Sequence, residues 1–190
     1  MLSMTAGAAC LPEATTDDAL AVAARTDREA FLVLYDRYLP CIERYVAART
    51  GSAEVEDTVS AIFLKALARI RTFHPARGAF GPWLFAIART TVVDGYRARR
   101  GTDQDADLSW LAEPAPGPEA VALSAETVVA IHAALAILTR EQRDALALRY
   151  AADLPFAEVA RTLRRSEPAA KMLVQRGLHT LRRYLEENPI

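Results

Sequence analysis

Apolar residues recur at helical spacing along most of the chain. Between residues 28 and 49, Phe31, Leu34, Tyr35, Tyr38, Ile42, Tyr45 and Val46 form one stripe. They share a face of a helix that turns about 100° per residue. Pro40 interrupts the stripe and predicts a kink or a split. Gly51-Ser52 predicts a stop and a cap for the next helix. That helix, over about 53–72, repeats the pattern at Val55, Val59, Ile62, Phe63, Ala66, Leu67 and Ile70. A loop from His74 to Pro82 then leads into a helix reaching Arg100. On its wheel Leu84, Ile87, Ala88, Thr91, Val92 and Gly95 share one side. Arg89, Arg97 and Arg100 fall within an arc of about 80° on another, with Ala86 and Val93 between them. One side can be buried while the other offers guanidinium groups, whose planar forks suit phosphate oxygens and base edges. A solvated arginine face is the plain alternative for this helix alone.

The flanking segments set the domain organisation. Residues 1–16 are small and polar and read as a disordered tail. Helical periodicity begins near Asp17, with Asp17-Asp18 favourable at a helix N-terminus. Residues 101–123 carry Asp103, Asp105 and Asp107 and then Pro114, Pro116, Gly117 and Pro118, which reads as a flexible linker. Trp110-Leu111 is its one apolar spot suited to docking. Helices resume near Ser124 and run to about Leu138. Thr139 and Gln142 fit a capping box that opens a helix to about Ala151. Phe156, Val159, Ala160 and Leu163 mark a short helix. Arg164-Arg165-Ser166 is a tight break, with Ser166 able to cap a final helix and Pro168 tolerated in its first turn. That helix is expected to turn Ala170, Val174, Gly177, Leu178, Leu181 and Leu185 inward and Lys171, Gln175, Arg176, His179, Arg182 and Arg183 outward. A short helix, a three-residue turn and an outward basic helix describe a helix-turn-helix, with an ordinary helical hairpin as the alternative. Alternation of period two is nowhere sustained. The expected class is all-α, with two small helical domains, 17–100 and 124–190, joined by the acidic linker 101–123.

Charge changes the picture only through its distribution. The net charge is −1, yet residues 1–100 carry +2, residues 101–123 carry −5 and residues 124–190 carry +2. Two mildly basic blocks flank an acidic connector, a layout compatible with nucleic acid. Cys10 and Cys41 make neither a disulfide framework nor a metal quartet, and Cys41 reads as a small buried hydrophobe. His74, His132 and His179 form no ligand-spaced pair. No apolar run reaches the length of a membrane span, and residues 1–16 hold no basic residue of a signal peptide. A reducing cytoplasm is the expected compartment, with no membrane insertion. Paired catalytic groups, a phosphate-binding glycine loop and a nucleophile elbow are all missing from the sequence, so neither an enzyme nor a cofactor is expected.

The order and spacing of several short runs resemble the extracytoplasmic-function (ECF) group of bacterial RNA polymerase sigma factors. The resemblance covers about 28–100 and 124–187. It is carried by the runs Phe31 to Tyr38, Val55-Glu56-Asp57 with Ile62 to Lys65, and Phe80 to Arg89. In the second half it rests on Leu138 to Arg143, Leu148-Arg149-Tyr150 and Phe156 to Ala160. It implies a region 2-like bundle that binds polymerase core and the minus-10 promoter element. It likewise implies a region 4-like helix-turn-helix domain for the minus-35 element. Asp57, Ser60, Phe63 and Lys65 would then face polymerase. Phe73, Phe80, Trp83, Arg89, Thr90, Arg97 and Arg100 would serve the minus-10 element, the aromatics by stacking on a flipped base. Arg165, Ser166, Lys171, Gln175 and Arg176 would serve the minus-35 element. An anti-sigma protein is a further partner that the resemblance implies.

This chain departs from the family pattern at four places. Ser60-Ala61 replaces the usual Gln-Glu, and Thr90 replaces an Asn whose amide would offer both a donor and an acceptor. Arg164 stands where Gly is common in the turn. The last helix keeps Lys171 but carries Leu173 in place of an Arg. The competing reading is a stand-alone helix-turn-helix repressor with an N-terminal ligand or dimerisation domain, which would leave the Arg89–Arg100 face without a role.

Overall fold

The computed structural model describes residues 14–50, 52–100 and 133–188. The linker, the start of the helix near Ser124 and most of the expected tail lie outside the described residues. Among the described residues every regular element is helical. In chain order they are α1 (Ala14–Ala23), α2 (Arg28–Ala47), α3 (Val55–Arg69), α4 (Phe80–Arg100), α5 (Arg140–Leu146), α6 (Phe156–Leu163) and α7 (Glu167–Glu187). Single 3-10 turns flank α3 and precede α4, and a π-helical turn, Ala147–Ala151, follows α5.

The first unit, α1–α4, buries most of the stripes that the sequence predicts, but Leu67 of α3 is exposed. Leu34, Ile42, Tyr45 and Val46 of α2 meet Ile62 and Ala66 of α3 and Leu84 and Phe85 of α4 in a solvent-free core. Each large side chain so buried contributes about 1.5–3 kcal/mol. Tyr45 and Phe85 meet edge to face at 5.7 Å. Pro40 does not split α2, since the helix runs unbroken across it. Pro40 and Asp36 are both exposed, so the carbonyl left without its helical donor faces water.

The helix begins three residues earlier than expected, so Asp17 closes the first turn of α1 and Asp18 lies just beyond it. Both are used across the fold. Asp17 is buried and accepts from Arg37 Nη1 at 2.7 Å and from the Tyr38 hydroxyl at 3.0 Å. Burial, and then the Asp17 charge, push the Tyr38 hydroxyl well above its ordinary pKa. Asp18 accepts from the Phe80 backbone N–H at 2.7 Å and so satisfies the N-terminus of α4. That helix starts at Phe80, with Pro82 inside its first turn rather than ending the loop. Cys41 is fully buried and disulfide-bonded, not the plain buried thiol that the sequence predicts. Cys10, the other cysteine, lies outside the described residues.

In the second unit Thr139 and Gln142 form the reciprocal capping box, with Gln142 Oε1 accepting from the Thr139 N–H at 2.9 Å. The helix they open is α-helical only to Leu146 and then widens into the π turn. Arg149 Nη1 donates to the Leu154 carbonyl at 3.1 Å, and its guanidinium lies 5.3 Å from the Phe156 ring, tying that turn to the start of α6. Gly177 lets α7 approach α5 closely, since a Cβ there would stand 2.9 Å from Leu146 Cδ1.

Candidate nucleic-acid interface

Two helices carry the candidate interface. The wheel expected for α4 is realised on its apolar side: Leu84, Ile87, Ala88, Thr91 and Val92 are buried. On the other side Thr90 is exposed, but its hydroxyl donates to the Ala86 and Ile87 carbonyls of its own helix. The Arg97 and Arg100 side chains lie outside the described residues.

Arg89 is not an open phosphate ligand in this arrangement. Its Nε donates to Asp144 Oδ2 at 2.7 Å, and Asp144 belongs to the other unit. Burial opposes the Arg89 charge, but the bond to Asp144 and its negative charge outweigh it and hold the guanidinium pKa above the ordinary value. The second oxygen, Asp144 Oδ1, stands 2.7 Å from Arg49 Nη2, an ion pair lacking the alignment of a hydrogen bond. The Asp144 side chain is fully buried. Tyr45 is buried beside it with its hydroxyl unbonded, and burial, then the Asp144 charge, raise that hydroxyl's pKa far above the usual range. The sequence reading missed this cluster. A signal was present: Asp144 and the fully buried Leu148 are four apart on one helical face. An acid on an apolar face requires a cationic partner.

The aromatic residues expected to stack on a base form a cluster. Phe73 and Phe80 meet edge to face at 5.7 Å, and Trp83 lies 5.6 Å from each. Phe73 and Phe80 are each 1% exposed, so the expectation of free stacking rings is corrected for both. They hold the loop before α4 against α2, where Phe80 also meets Tyr38 at 5.3 Å. Trp83 is partly buried at the edge of the cluster.

On α3, Asp57 and Ser60 are exposed and Lys65 is partly exposed, 3.6 Å from Asp94. Phe63 points inward, 4.5 Å from the Tyr35 ring, which corrects its expected place on the polymerase-facing surface. Leu64 beside it is 67% exposed, an apolar residue on the outer side of α3, where Leu67 is exposed as well.

The helix-turn-helix geometry is explicit. Arg164 takes the left-handed conformation, φ 54° and ψ 47°. The Arg165 N–H donates to the Ala160 carbonyl at 2.9 Å and the Arg164 N–H to the Arg161 carbonyl at 3.2 Å. Those two bonds make a Schellman turn. Ser166 then caps α7 by accepting from the Ala169 N–H, so its hydroxyl is engaged locally. Lys171, Gln175 and Arg176 are all exposed on α7. Lys171 pairs with Glu167 one turn earlier, and Arg165 pairs with Glu141. Gln175 and Arg176 line an open groove with Gln142, His179 and Thr180. Of that groove, the sequence reading had not singled out Gln142 or Thr180 as site residues. Among the described residues the exposed basic surface is that of α7, while Arg89 of α4 is engaged by Asp144.

Comparison with known proteins agrees with this layout. Residues 34–102 match the sigma-70 region 2 family and residues 129–181 the sigma-70 region 4 family. The chain is 34% identical over 168 residues to the ECF RNA polymerase sigma factor BldN of Streptomyces coelicolor, covering 85% of this chain and 62% of that relative. It is 29% identical to the ECF sigma factor SigX of Bacillus subtilis, over 83% of this chain and 84% of that one. The sigma factor RpoE from Bartonella quintana, solved in complex with the anti-sigma factor NepR, shares the fold with a TM-score of 0.63 at 21% identity, covering 83% of this chain and 98% of that one. With matches to both conserved regions in the order that the helices place them, the chain belongs to the sigma-70 family, in its extracytoplasmic-function group.

Proposed function

We propose that the chain is a promoter-specificity subunit of RNA polymerase. The observation that carries this reading is the pairing of a region 2 and a region 4 match on one chain, the second ending in an exposed basic helix behind a Schellman turn. Residues Asp57, Ser60, Leu64 and Lys65 on the outer side of α3 bind the polymerase core. The outer side of α4, with Arg89, Thr90, Arg97 and Arg100, faces the minus-10 element, and Trp83 supplies the remaining aromatic edge. Lys171, Gln175 and Arg176 read the minus-35 element, with Arg165 on flanking phosphate. With Leu173 in the recognition helix, base preference rests on Lys171, Gln175 and Arg176. The solved relative bound to an anti-sigma factor supports an inhibitory protein partner here as well.

Sigma factors are generally not enzymes, and this one acts through binding. No described helix is long and apolar enough to cross a membrane. Cytoplasmic residence follows from the partnership with polymerase.

The test is reconstitution with core polymerase on promoters found by sequencing transcripts induced on overexpression. Arg97→Ala should impair open-complex formation and leave core binding intact. Lys171→Ala or Arg176→Ala should weaken promoter recruitment by about 1–3 kcal/mol per lost base contact. Failure to co-purify with core polymerase, together with tight specific binding of palindromic duplex DNA by the free chain, would favour the repressor instead.

A further inference from the structure

The contact between the two units is built around one carboxylate. Asp144 sits on α5, and both cations that pair with it come from the first unit: Arg49 in the turn after α2 and Arg89 on α4. Each pair is 2.7 Å long, and Asp144 itself is wholly shielded from water. Around it, Arg44 Nε donates to the Ala151 carbonyl at 2.9 Å, again from one unit to the other. At the far side of the contact, α4 packs on α6, where a Cβ on Gly81 would stand in ordinary contact, 3.4 Å, with Glu158 Oε2. The start of the helix that would face the minus-10 element, and its Arg89, are thus engaged by the unit that would read the minus-35 element, while Thr90 stays exposed.

We propose that Asp144 latches a self-closed state of the free chain, in which Arg89 is masked from DNA while the α7 surface stays open, and that engaging a promoter requires the latch to release. This inference rests on the proposed role of Arg89 at the minus-10 element. The chemistry favours a reversible device. A buried ion pair gives little net stability, because its attraction is offset by desolvation of both charges. Opening rehydrates Asp144, Arg49 and Arg89 together, so the ion pairs give the closed state geometric specificity while the apolar core shared by the two units supplies its stability. Losing only the carboxylate charge is different: two guanidinium groups are left packed against a neutral amide, and the closed state is selectively disfavoured. The outer faces of Lys171, Gln175 and Arg176 take no part in the latch and remain exposed.

The experiment uses the full free chain and needs neither polymerase nor promoter for its first reading. Wild type and Asp144→Asn are treated with an arginine-specific dicarbonyl reagent, and modification of Arg89 and Arg49 is read by mass spectrometry. The radius of gyration is measured by small-angle X-ray scattering on the same samples. Asp144→Asn should modify Arg89 about tenfold faster and scatter as a larger particle, as expected when a mostly closed population becomes mostly open. Arg49→Gln attacks the latch from the other unit and should act in the same direction, which guards against a folding defect peculiar to one variant. Circular dichroism should show the helical content unchanged. Equal Arg89 reactivity and equal radius in wild type and both variants would overturn the latch. Opening without tighter binding of a single-stranded minus-10 oligonucleotide would overturn the masking of Arg89. Loss of polymerase binding in the wild-type chain would instead refute the proposed function and leave the footprinting result standing.

Discussion

Replacing Arg164 by glycine should stabilise the second unit. Arg164 is the left-handed residue of the Schellman turn between α6 and α7, at φ 54° and ψ 47°. An L side chain in that region costs about 1–2 kcal/mol relative to a right-handed residue, because its Cβ crowds the following carbonyl. Glycine removes this crowding but gives the unfolded chain more freedom, which returns roughly 0.4–1 kcal/mol. The Arg164 side chain is exposed, so little packing is lost on truncation. The net expectation is a gain of about 0.5–1 kcal/mol, or about 1–4 °C in melting temperature for a chain of this size. Urea denaturation followed by circular dichroism measures it, with an unchanged dependence on denaturant showing that the unfolded state is the same. Arg164→Ala is the essential control. It removes the charge beside Arg165 but keeps a Cβ at positive φ, so it should be close to neutral. If alanine stabilised as much as glycine, the gain would come from relieved charge repulsion and the strain argument would be wrong. A destabilised glycine variant would refute it outright.

Other consequences concern packing, capping and pH. Gly177→Ala brings a methyl to 2.9 Å from Leu146 Cδ1, so overpacking of about 1–3 kcal/mol should exceed the roughly 1 kcal/mol of helix propensity gained, and denaturation should show a net loss. Trimming Leu146 to Val in the same chain should recover part of that loss. Thr139→Ala removes the capping box at the head of α5 and should cost about 1 kcal/mol in the same assay. Glu158 faces Asp18 of α1, Tyr38 of α2 with Asp17 and Arg37 behind it, and Arg161 of its own helix. Burial, only partly opposed by Arg161, raises its pKa above the ordinary glutamate value. A raised carboxyl pKa means that the folded contact holds its proton longer. Its contribution is therefore most favourable below the ordinary glutamate pKa and weakens as pH rises through that value towards the raised one. Melting measured between about pH 4 and pH 6 should show a shallower decline, or a steeper rise, for Glu158→Gln than for wild type. Identical pH slopes would remove Glu158 from the contact's electrostatics.

Helical periodicity made most of the secondary structure legible, because burial selects residues at a spacing that the helix itself imposes. The stripes of α2 and α4 and most of α3 lie inward as read, while Leu67 of α3 and Leu178 and Leu185 of α7, expected on inner faces, are exposed; the turn between α6 and α7 falls at Arg164-Arg165-Ser166 as its breakers predict. Two boundaries moved for local reasons. Pro40 stays inside α2 because the carbonyl it leaves free is on the wet side. Pro82 sits within α4 because the first turn of a helix does not need its N–H, and Asp18 arrives from a distant helix to cap Phe80.

What periodicity does not supply is the identity of the surface against which a face is buried. Phe73 and Phe80 look alike whether they stack on a base or on each other, and only the three-dimensional meeting of the loop, α2 and α4 turns them inward. Arg89 poses the harder case. A guanidinium on the polar side of a helix is written identically for DNA and for a carboxylate 55 residues away. The discriminating mark is on the partner. Asp144 shares a face with Leu148, where a lone acid would be costly, and that cost is what predicts that cations must come to it from elsewhere in the fold. The same carboxylate that completes the second unit's buried face is therefore the one placed to compete with phosphate for Arg89. Any increase in Arg89's affinity for DNA made by altering Asp144 should carry a matching loss of closure between the two units.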